Sequence, residues 1–174
     1  MNSQLGFEML IERHGAEIFA YLWRMVGDSA DAEDCLQETF LRAFRAYPRL
    51  DARGEHRAWL YKIATNVART HLRRRKRLAM HTVDLDPECL QGSLSPGEEV
   101  DRRQRLAAVA AAVGELPHKQ RAALILRRYQ GLSYSAIASA LGGTEAAARA
   151  NVYQALKKLR ARFVPASERS REKP

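Results

Sequence analysis

The sequence has few of the features that mark metal-binding, secreted or membrane-spanning proteins. Its two cysteines, Cys35 and Cys89, have no metal-type spacing, so we expect ordinary thiols in a reducing compartment. Its longest apolar run covers residues 106–113, whereas a membrane span needs ~20 residues. Glu8 and Glu12 interrupt the early apolar residues, so we expect no signal peptide. We therefore expect a cytoplasmic protein without a membrane span.

Catalytic patterns are also missing from the sequence. The five histidines show no paired spacing that suits a metal, and no glycine-rich loop of the phosphate-binding kind is present. Carboxylates do not pair in a convincing catalytic arrangement. We therefore expect no enzymatic activity and no metal or other cofactor.

Strand signals are nearly absent, whereas helical signals are strong. No segment alternates apolar and polar residues for long, and β-branched residues are sparse. Apolar residues make up 46% of the 174 residues, which is a folding composition. The fold is therefore predicted to be all-α, with two small helical domains that each bury a core of their own.

The charge of the chain is divided into blocks. Net charge is −3 over residues 1–50, +7 over residues 51–82, −6 over residues 83–101 and +11 over residues 102–174. Two basic blocks separated by an acidic one indicate two nucleic-acid contacts joined by a tether that avoids phosphates. The alternative is that the basic runs are merely solvated faces.

Capping and stop residues set the predicted helices of the N-terminal domain, residues 1–77. Apolar spacing predicts a pair of helices that ends at residues 27–28, and Asp28 or Ser29 can cap the next helix. That helix is acidic at its start, amphipathic along its length, and stopped by Pro48. A loop then leads into a helix that contains Trp59 and continues into the basic run 73–77.

A flexible acidic linker, residues 78–98, is predicted between the domains because proline, glycine and serine are scattered there. The C-terminal domain, residues 99–165, is predicted to hold four helices, with Ser133 and Thr144 as N-caps of the last two. Residues 166–174 are a polar tail.

Residues 132–160 have the form of a helix-turn-helix. A short helix, a glycine-containing turn and a longer helix with a polar face follow one another. Early residues of the second helix would reach base edges in a major groove, and later basic residues would meet phosphates. A plain helical hairpin is the alternative.

The helix that contains Trp59 has different chemistry. Trp59 and Tyr61 are flat side chains that suit unstacked bases, and the amide of Asn66 can bind a base edge. The basic run 73–77 can neutralise phosphates. These residues predict contact with single-stranded or locally opened DNA; alternatively, Trp59 belongs to the core.

With these motifs in place, the chain resembles a bacterial RNA polymerase sigma factor of the extracytoplasmic-function group, in the sigma-70 family. The resemblance covers about residues 7–163. Residues 31–44 look like the family's core-binding segment, residues 57–66 with the following Leu-Arg-Arg-Arg like its −10 segment, and residues 116–138 like its −35-binding domain.

The resemblance implies three groups of site residues. The segment that would dock on the β′ clamp helices of core RNA polymerase contains Asp34, Gln37, Glu38, Phe40 and Phe44. The −10 contacts would include a pocket for a flipped base in the loop 50–56, and they comprise Arg53, His56, Trp59, Tyr61, Lys62, Asn66, Arg69, Arg73 and Arg74. The −35 contacts would be Ser133, Thr144, Arg149, Asn151, Tyr153, Gln154, Lys157 and Lys158.

The resemblance further implies the partners of the chain. These are core RNA polymerase, through its β′ clamp helices and β flap, promoter DNA, and a separate anti-sigma factor. The recognition helix starts with the alanine-rich run 145–151, which predicts an unusual −35 preference. The main alternative function is that of a helix-turn-helix regulator that acts without polymerase. Such a regulator has no need of the acidic helix at residues 31–47. A third interpretation is an enzyme that acts on nucleic acid.

Overall fold

The computed structural model describes residues 2–50, 55–81 and 98–163, and over these residues the chain is helical without a strand. The helices are α1 (Asn2–Val26), α2 (Ser29–Ala46), α3 (His56–His81), α4 (Glu98–Gly114), α5 (His118–Arg128), α6 (Tyr134–Leu141) and α7 (Glu145–Phe163), with a 3₁₀ turn at Tyr47–Arg49. The predicted all-α class is confirmed. We refer to α1–α3 as the N-terminal unit and to α4–α7 as the C-terminal unit.

Local chemistry explains where the helices of the N-terminal unit begin and end. The Asp28 carboxylate accepts a hydrogen bond from the Asp31 amide at 2.9 Å, so the predicted cap of α2 is confirmed. Pro48 lies in the 3₁₀ turn that follows α2. The predicted N-terminal helix pair is wrong, because α1 is one helix. A lone glycine inside a helix, such as Gly15, costs only about 1 kcal/mol and does not break it.

The core of the N-terminal unit forms where α1, α2 and α3 meet. Tyr21 and Tyr61 are buried and contact each other edge to face, with ring centroids 5.2 Å apart. The Tyr21 hydroxyl also lies 2.7 Å from the Thr65 hydroxyl, which in turn donates to the Tyr61 carbonyl at 2.6 Å. These bonds satisfy polar groups that would otherwise be costly to bury.

In the C-terminal unit the predicted caps are present. Ser133 accepts from the Ala136 amide at 3.1 Å, and Thr144 accepts from the Ala147 amide at 3.1 Å. Between these caps, α6 ends at Gly142, whose φ of 65° is the left-handed conformation that glycine adopts without strain. The helix-turn-helix geometry follows from these local signals.

The two units pack against each other directly. One apolar cluster runs from α1 and α3 through buried residues of α5, α6 and α7, and a smaller cluster centres on Leu116, Leu124 and Ala155. Each unit therefore has helix packing of its own, and its core is continuous with the contact between the units, which the sequence did not predict. Two arginines cross the contact: Arg57 donates to the Gln130 carbonyl at 2.8 Å, and Arg121 donates to the Met25 carbonyl.

The predicted linker, residues 78–98, can be compared with the structure only at its two ends. Residues 78–81 continue α3, so the regular helix extends past the predicted boundary at residue 77. Residues 82–97 and the tail 166–174 lie outside the described residues, as does Cys89.

Candidate nucleic-acid and protein-binding surfaces

The acidic side of α2 is open to solvent. Asp34 and Gln37 are exposed, and Glu38 is half-buried, with its carboxylate accepting from Arg42 one turn later at 2.6 Å. These side chains lie opposite the row of α2 that packs into the core, which contains Ala32, Cys35, Thr39 and Ala43. The N-terminal half of α2 therefore presents acidic and amide groups that a basic protein surface could bind.

An aromatic cluster continues this surface toward the C-terminal end of α2. The Phe7 ring lies edge-on to Phe40, Phe44 and Tyr47, with centroid distances of 6.5, 5.2 and 5.3 Å. Phe44 nevertheless remains 52% exposed, and Leu41, which sequence reasoning missed, is 53% exposed beside it on α2. Exposed apolar side chains next to acidic ones are typical of a protein-binding surface.

Helix α3 has an inner and an outer face. Leu60, Tyr61 and Ala64 point inward and are completely buried. The prediction that Tyr61 contacts DNA is therefore wrong: its ring lies in the core row of the helix. The outer row contains Lys62, Asn66 and Arg69, spaced by four and three residues, and all of them are exposed.

The remaining predicted −10 residues are distributed along α3. His56 and Trp59 lie in its first turn and are half-buried, with Trp59 packed against the apolar cluster, so the core alternative for this residue holds in part. Arg73 and Arg74 are exposed near the other end of the helix. Arg53 lies outside the described residues.

Helix α7 presents the second basic surface. Val152 and Ala155 are buried, as an inward-facing row requires. On the opposite side are five exposed residues from the predicted set: Arg149, Tyr153, Gln154, Lys157 and Lys158. A helix with an apolar inner row and a cationic outer row, placed after a tight turn, can enter a DNA groove.

Three other predicted −35 residues already make local hydrogen bonds. The hydroxyls of Ser133 and Thr144 accept the capping bonds described above, and the Asn151 amide donates to the Ala147 carbonyl at 2.9 Å. The Ser133 hydroxyl also lies 2.9 Å from the Ser135 hydroxyl, whereas the Thr144 hydroxyl retains a proton to donate. These residues therefore shape the helix-turn-helix in addition to lying on its surface.

Sequence reasoning missed the side chains that hold Arg149. Its guanidinium lies 4.5 Å from the centroid of the Tyr134 ring, and the Arg127 guanidinium lies 4.7 Å from the same centroid. Arg149 also pairs with Glu145, and Arg127 donates to the Leu132 carbonyl at 3.0 Å. The contact between Tyr134 and Arg149 joins two helices, so their 15-residue separation gave no periodic signal.

Within the described ranges, no three histidine, cysteine, aspartate or glutamate side chains come together in a way that could hold a metal ion. Likewise, none of the helices in this part of the chain is both long and apolar enough to cross a membrane.

Two family models match the chain in the same order as these surfaces. Sigma-70 region 2 matches residues 10–78, which contain α2 and nearly all of α3. Sigma-70, region 4 matches residues 106–159, which contain the helix-turn-helix.

Curated relatives match over most of the chain. It is 32% identical to the ECF RNA polymerase sigma factor SigE of Mycolicibacterium smegmatis, with 89% of this chain and 60% of the relative covered. It is 30% identical to the RNA polymerase sigma-H factor of Pseudomonas aeruginosa, with 86% of this chain and 82% of the relative covered.

Solved structures show the same fold. CnrH, determined in complex with the cytosolic domain of CnrY, superposes with a TM-score of 0.68 at 26% identity, covering 91% of this chain and 87% of CnrH. The sigma factor RpoE of Bartonella quintana, determined with the anti-sigma factor NepR, superposes with a TM-score of 0.70 at 21% identity, covering 90% of this chain and 95% of RpoE.

Proposed function

This chain belongs to the extracytoplasmic-function group of the sigma-70 family of RNA polymerase sigma factors, and from that premise we propose how its surfaces act. It binds core RNA polymerase, recognises −35 and −10 promoter elements, assists strand opening and starts transcription, without an enzymatic activity of its own. One observation carries the proposal. Two separate basic helical surfaces, on α3 and α7, coincide with the two matched sigma regions.

The exposed side of α2 is the docking surface for the β′ clamp helices. Asp34, Gln37 and Glu38 supply acceptors for basic or amide groups of the polymerase, and Phe44 supplies apolar area. Phe40 is half-buried against Phe7 and supports the surface from beneath. Burial of such a mixed patch combines steering by charge with stabilisation by apolar contact.

The outer face of α3 binds the −10 element. Asn66 can donate to and accept from a base edge, while Lys62, Arg69, Arg73 and Arg74 approach the phosphates. Trp59 and His56 lie at the start of the helix, and His56 also ends the segment 50–56 that would receive a flipped base. Base flipping costs a few kcal/mol of unstacking, which cationic contacts and a pocket offset.

The outer face of α7 binds the −35 element. Arg149 is exposed in the first turns of α7, with Tyr153 and Gln154 exposed after it, and these side chains would contact base edges. Lys157 and Lys158 lie two turns further on, where a recognition helix meets the backbone. The β flap of the polymerase is the protein partner of this unit.

A separate anti-sigma protein controls the availability of the chain. The structure of CnrH with the cytosolic domain of CnrY supports this proposal, because CnrH has the same fold at 26% identity and binds a second protein.

In vitro transcription with purified core polymerase tests the proposal. The protein is added to a pool of genomic promoter fragments, and we expect discrete new transcripts whose start sites share two upstream elements. Absence of transcripts, together with tight duplex binding by the protein alone, would instead identify a regulator that acts without polymerase.

A charge reversal tests the docking surface itself. We expect Glu38→Lys to abolish co-purification with core polymerase while the circular dichroism spectrum is unchanged, because the side chain is on the open side of α2. Glu33→Lys is the matched control, since Glu33 is exposed on the same helix about 140° away from Glu38. Equal binding by wild type and Glu38→Lys would refute the docking assignment.

A further inference from the structure

A cavity of about 130 Å³ lies between the N-terminal and C-terminal units. It is open to solvent, because the charged side chains that line it are exposed. Helix α3 contributes one wall and the start of α5 and the end of α6 contribute the other. The lining residues are Lys62, Thr65, Asn66, Arg69, His118, Lys119, Ala140, Leu141 and Gly142.

The charge of this cavity is all of one sign. Lys62 and Arg69 come from α3, and Lys119 comes from α5, whereas no acidic residue lines the cavity. Within the described part of the chain, none of these three cations forms an ion pair or donates a side-chain hydrogen bond. Elsewhere at the contact, by comparison, Arg57 pairs with Glu17.

His118 is the least exposed of the ionisable side chains that line the cavity. Its Nε2 is buried without a hydrogen-bond partner. Burial, with smaller contributions from Arg69 and Arg121, lowers the pKa of His118 to about 4. The imidazole is therefore neutral at pH 7 and can donate one N–H. Like-charged side chains gathered around a buried donor favour an anion over a cation or an apolar ligand.

We propose that this cavity binds a small phosphate-type oxyanion, held by Lys62, Arg69, Lys119 and Asn66. Because the ligating residues come from both units, the anion binds only when the units are packed together. At ten times its dissociation constant, such a ligand favours the packed arrangement by about elevenfold. Since the same α3 side chains are the proposed −10 contacts, the anion competes with promoter DNA; this last step rests on the proposed function.

Binding is tested on the full chain by NMR, with the His118 ring signal as the reporter and His118→Gln for its assignment. Inorganic phosphate, pyrophosphate and a nucleoside diphosphate are titrated separately against chloride at matched ionic strength. We expect a saturable shift and a rise in the His118 pKa for at least one phosphate compound and none for chloride. The ranking of the three identifies the source of the oxyanion.

Two lysine variants locate the site. We expect Lys119→Ala to weaken anion binding at least tenfold, because it removes the contribution of α5. Lys76→Ala, which removes an exposed lysine of α3 that does not line the cavity, should bind the anion like wild type. Equal binding by both variants, or an equal response to chloride, would mean general charge screening and overturn the proposal.

A transcription assay separates this proposal from the proposed function. Where the protein is active with core polymerase, the phosphate compound should reduce promoter binding by wild type more than by Lys119→Ala. A protein that binds the anion but is inactive with polymerase refutes the proposed function and leaves the cavity assignment intact. Promoter binding that falls equally in both proteins refutes the competition.

Discussion

At the scale of single residues, uncharged groups hold many of the arginine side chains. The sequence has 29 lysine and arginine residues against 20 acidic ones, so acids cannot pair them all. Arg121 donates to the Met25 carbonyl, and Arg75, which pairs with Asp31 at 3.1 Å, also donates to the Val26 carbonyl at 3.3 Å; both carbonyls lie at the end of α1, where helical carbonyls have no partner. Positive charge at this end also complements the helix dipole. The excess of cations is therefore used to join the helices.

An aromatic ring holds Arg149 in the same way, which gives a prediction for Tyr134. We expect Tyr134→Ala to weaken −35 duplex binding by about two- to fivefold, since a cation–π contact is worth about 0.5–1 kcal/mol. Tyr134→Phe keeps the ring and should bind like wild type. Fluorescence anisotropy measures the affinity, and a double-mutant cycle with Arg149→Ala should show that the two losses are not additive. Additive losses would mean that Tyr134 acts independently of Arg149.

The pKa of His118 gives a pH-dependent prediction. The unfolded histidine binds a proton below its ordinary pKa of 6.5, whereas the folded one binds it only near pH 4. The free energy of unfolding should therefore fall as pH decreases from 6.5 toward 4. Urea unfolding at pH 7.5, 6.0 and 5.0 measures this slope, and His118→Gln should lessen it. An unchanged slope in that variant would exclude His118 as its cause.

Glu17 also makes the free energy of unfolding depend on pH, but in a lower pH range than His118. Burial opposes the charge of its carboxylate, but hydrogen bonds from Arg57 and His14 prevail and lower its pKa below the ordinary 4.5. The stability it contributes is present above pH 4.5 and is lost as pH falls through the lower folded value. The contribution of Glu17 to stability therefore stays nearly constant in measurements above pH 5, and the slope there reports on His118.

At the scale of helices, the sequence predicts what is decided locally. The caps at Asp28, Ser133 and Thr144 follow from side chains that bond to amides three residues away. The face on which Tyr61 lies could not be assigned in the same way, because an aromatic residue suits both a core and a base-stacking site. The outer row of α3 lies beside α5 and the end of α6 because helices distant in the sequence pack together. Apolar periodicity within α3 carries no information about that packing.

Helix α7 gives a prediction that depends on salt. If Arg149 and Lys157 approach DNA, replacing both with alanine should weaken −35 duplex binding and reduce the slope of log affinity against log salt by about 1–2 units. Arg45→Ala with Arg49→Ala removes the same charge from exposed positions in the N-terminal unit and should leave the slope nearly unchanged. A slope that is the same in wild type and the α7 variant would place the recognition surface elsewhere.

At the scale of the whole molecule, the packed units place the end of α6 beside the proposed −10 contacts. Lys62, Asn66 and Arg69 share one cavity with Leu141 and Gly142. Duplex or single-stranded DNA that follows α3 would therefore meet the C-terminal unit. If both surfaces bind promoter DNA as proposed, we expect the units to move apart, and their contact energy would then subtract from DNA affinity.

Substitution of Arg57 tests whether contact between the units weakens DNA binding. Its guanidinium donates to Glu17 at 2.8 Å within the N-terminal unit and to the Gln130 carbonyl of the C-terminal unit. We expect Arg57→Gln to raise the radius of gyration in small-angle X-ray scattering and to strengthen binding of single-stranded −10 DNA. Arg162→Gln is the control, since the pair of Arg162 with Glu115 lies within the C-terminal unit. An unchanged radius in Arg57→Gln would mean that other contacts hold the units together.

The burial of Cys35 has a consequence for the time scale of such motions. The thiol lies in the core row of α2, and burial, together with nearby Asp31 and Asp34, raises its pKa to about 11. Alkylating reagents attack the thiolate, so the folded chain should react slowly and only when the bundle around α2 opens. In a Cys89→Ser background, the rate of alkylation therefore measures how often the N-terminal unit opens locally, and mass spectrometry detects it as the mass that the reagent adds to Cys35.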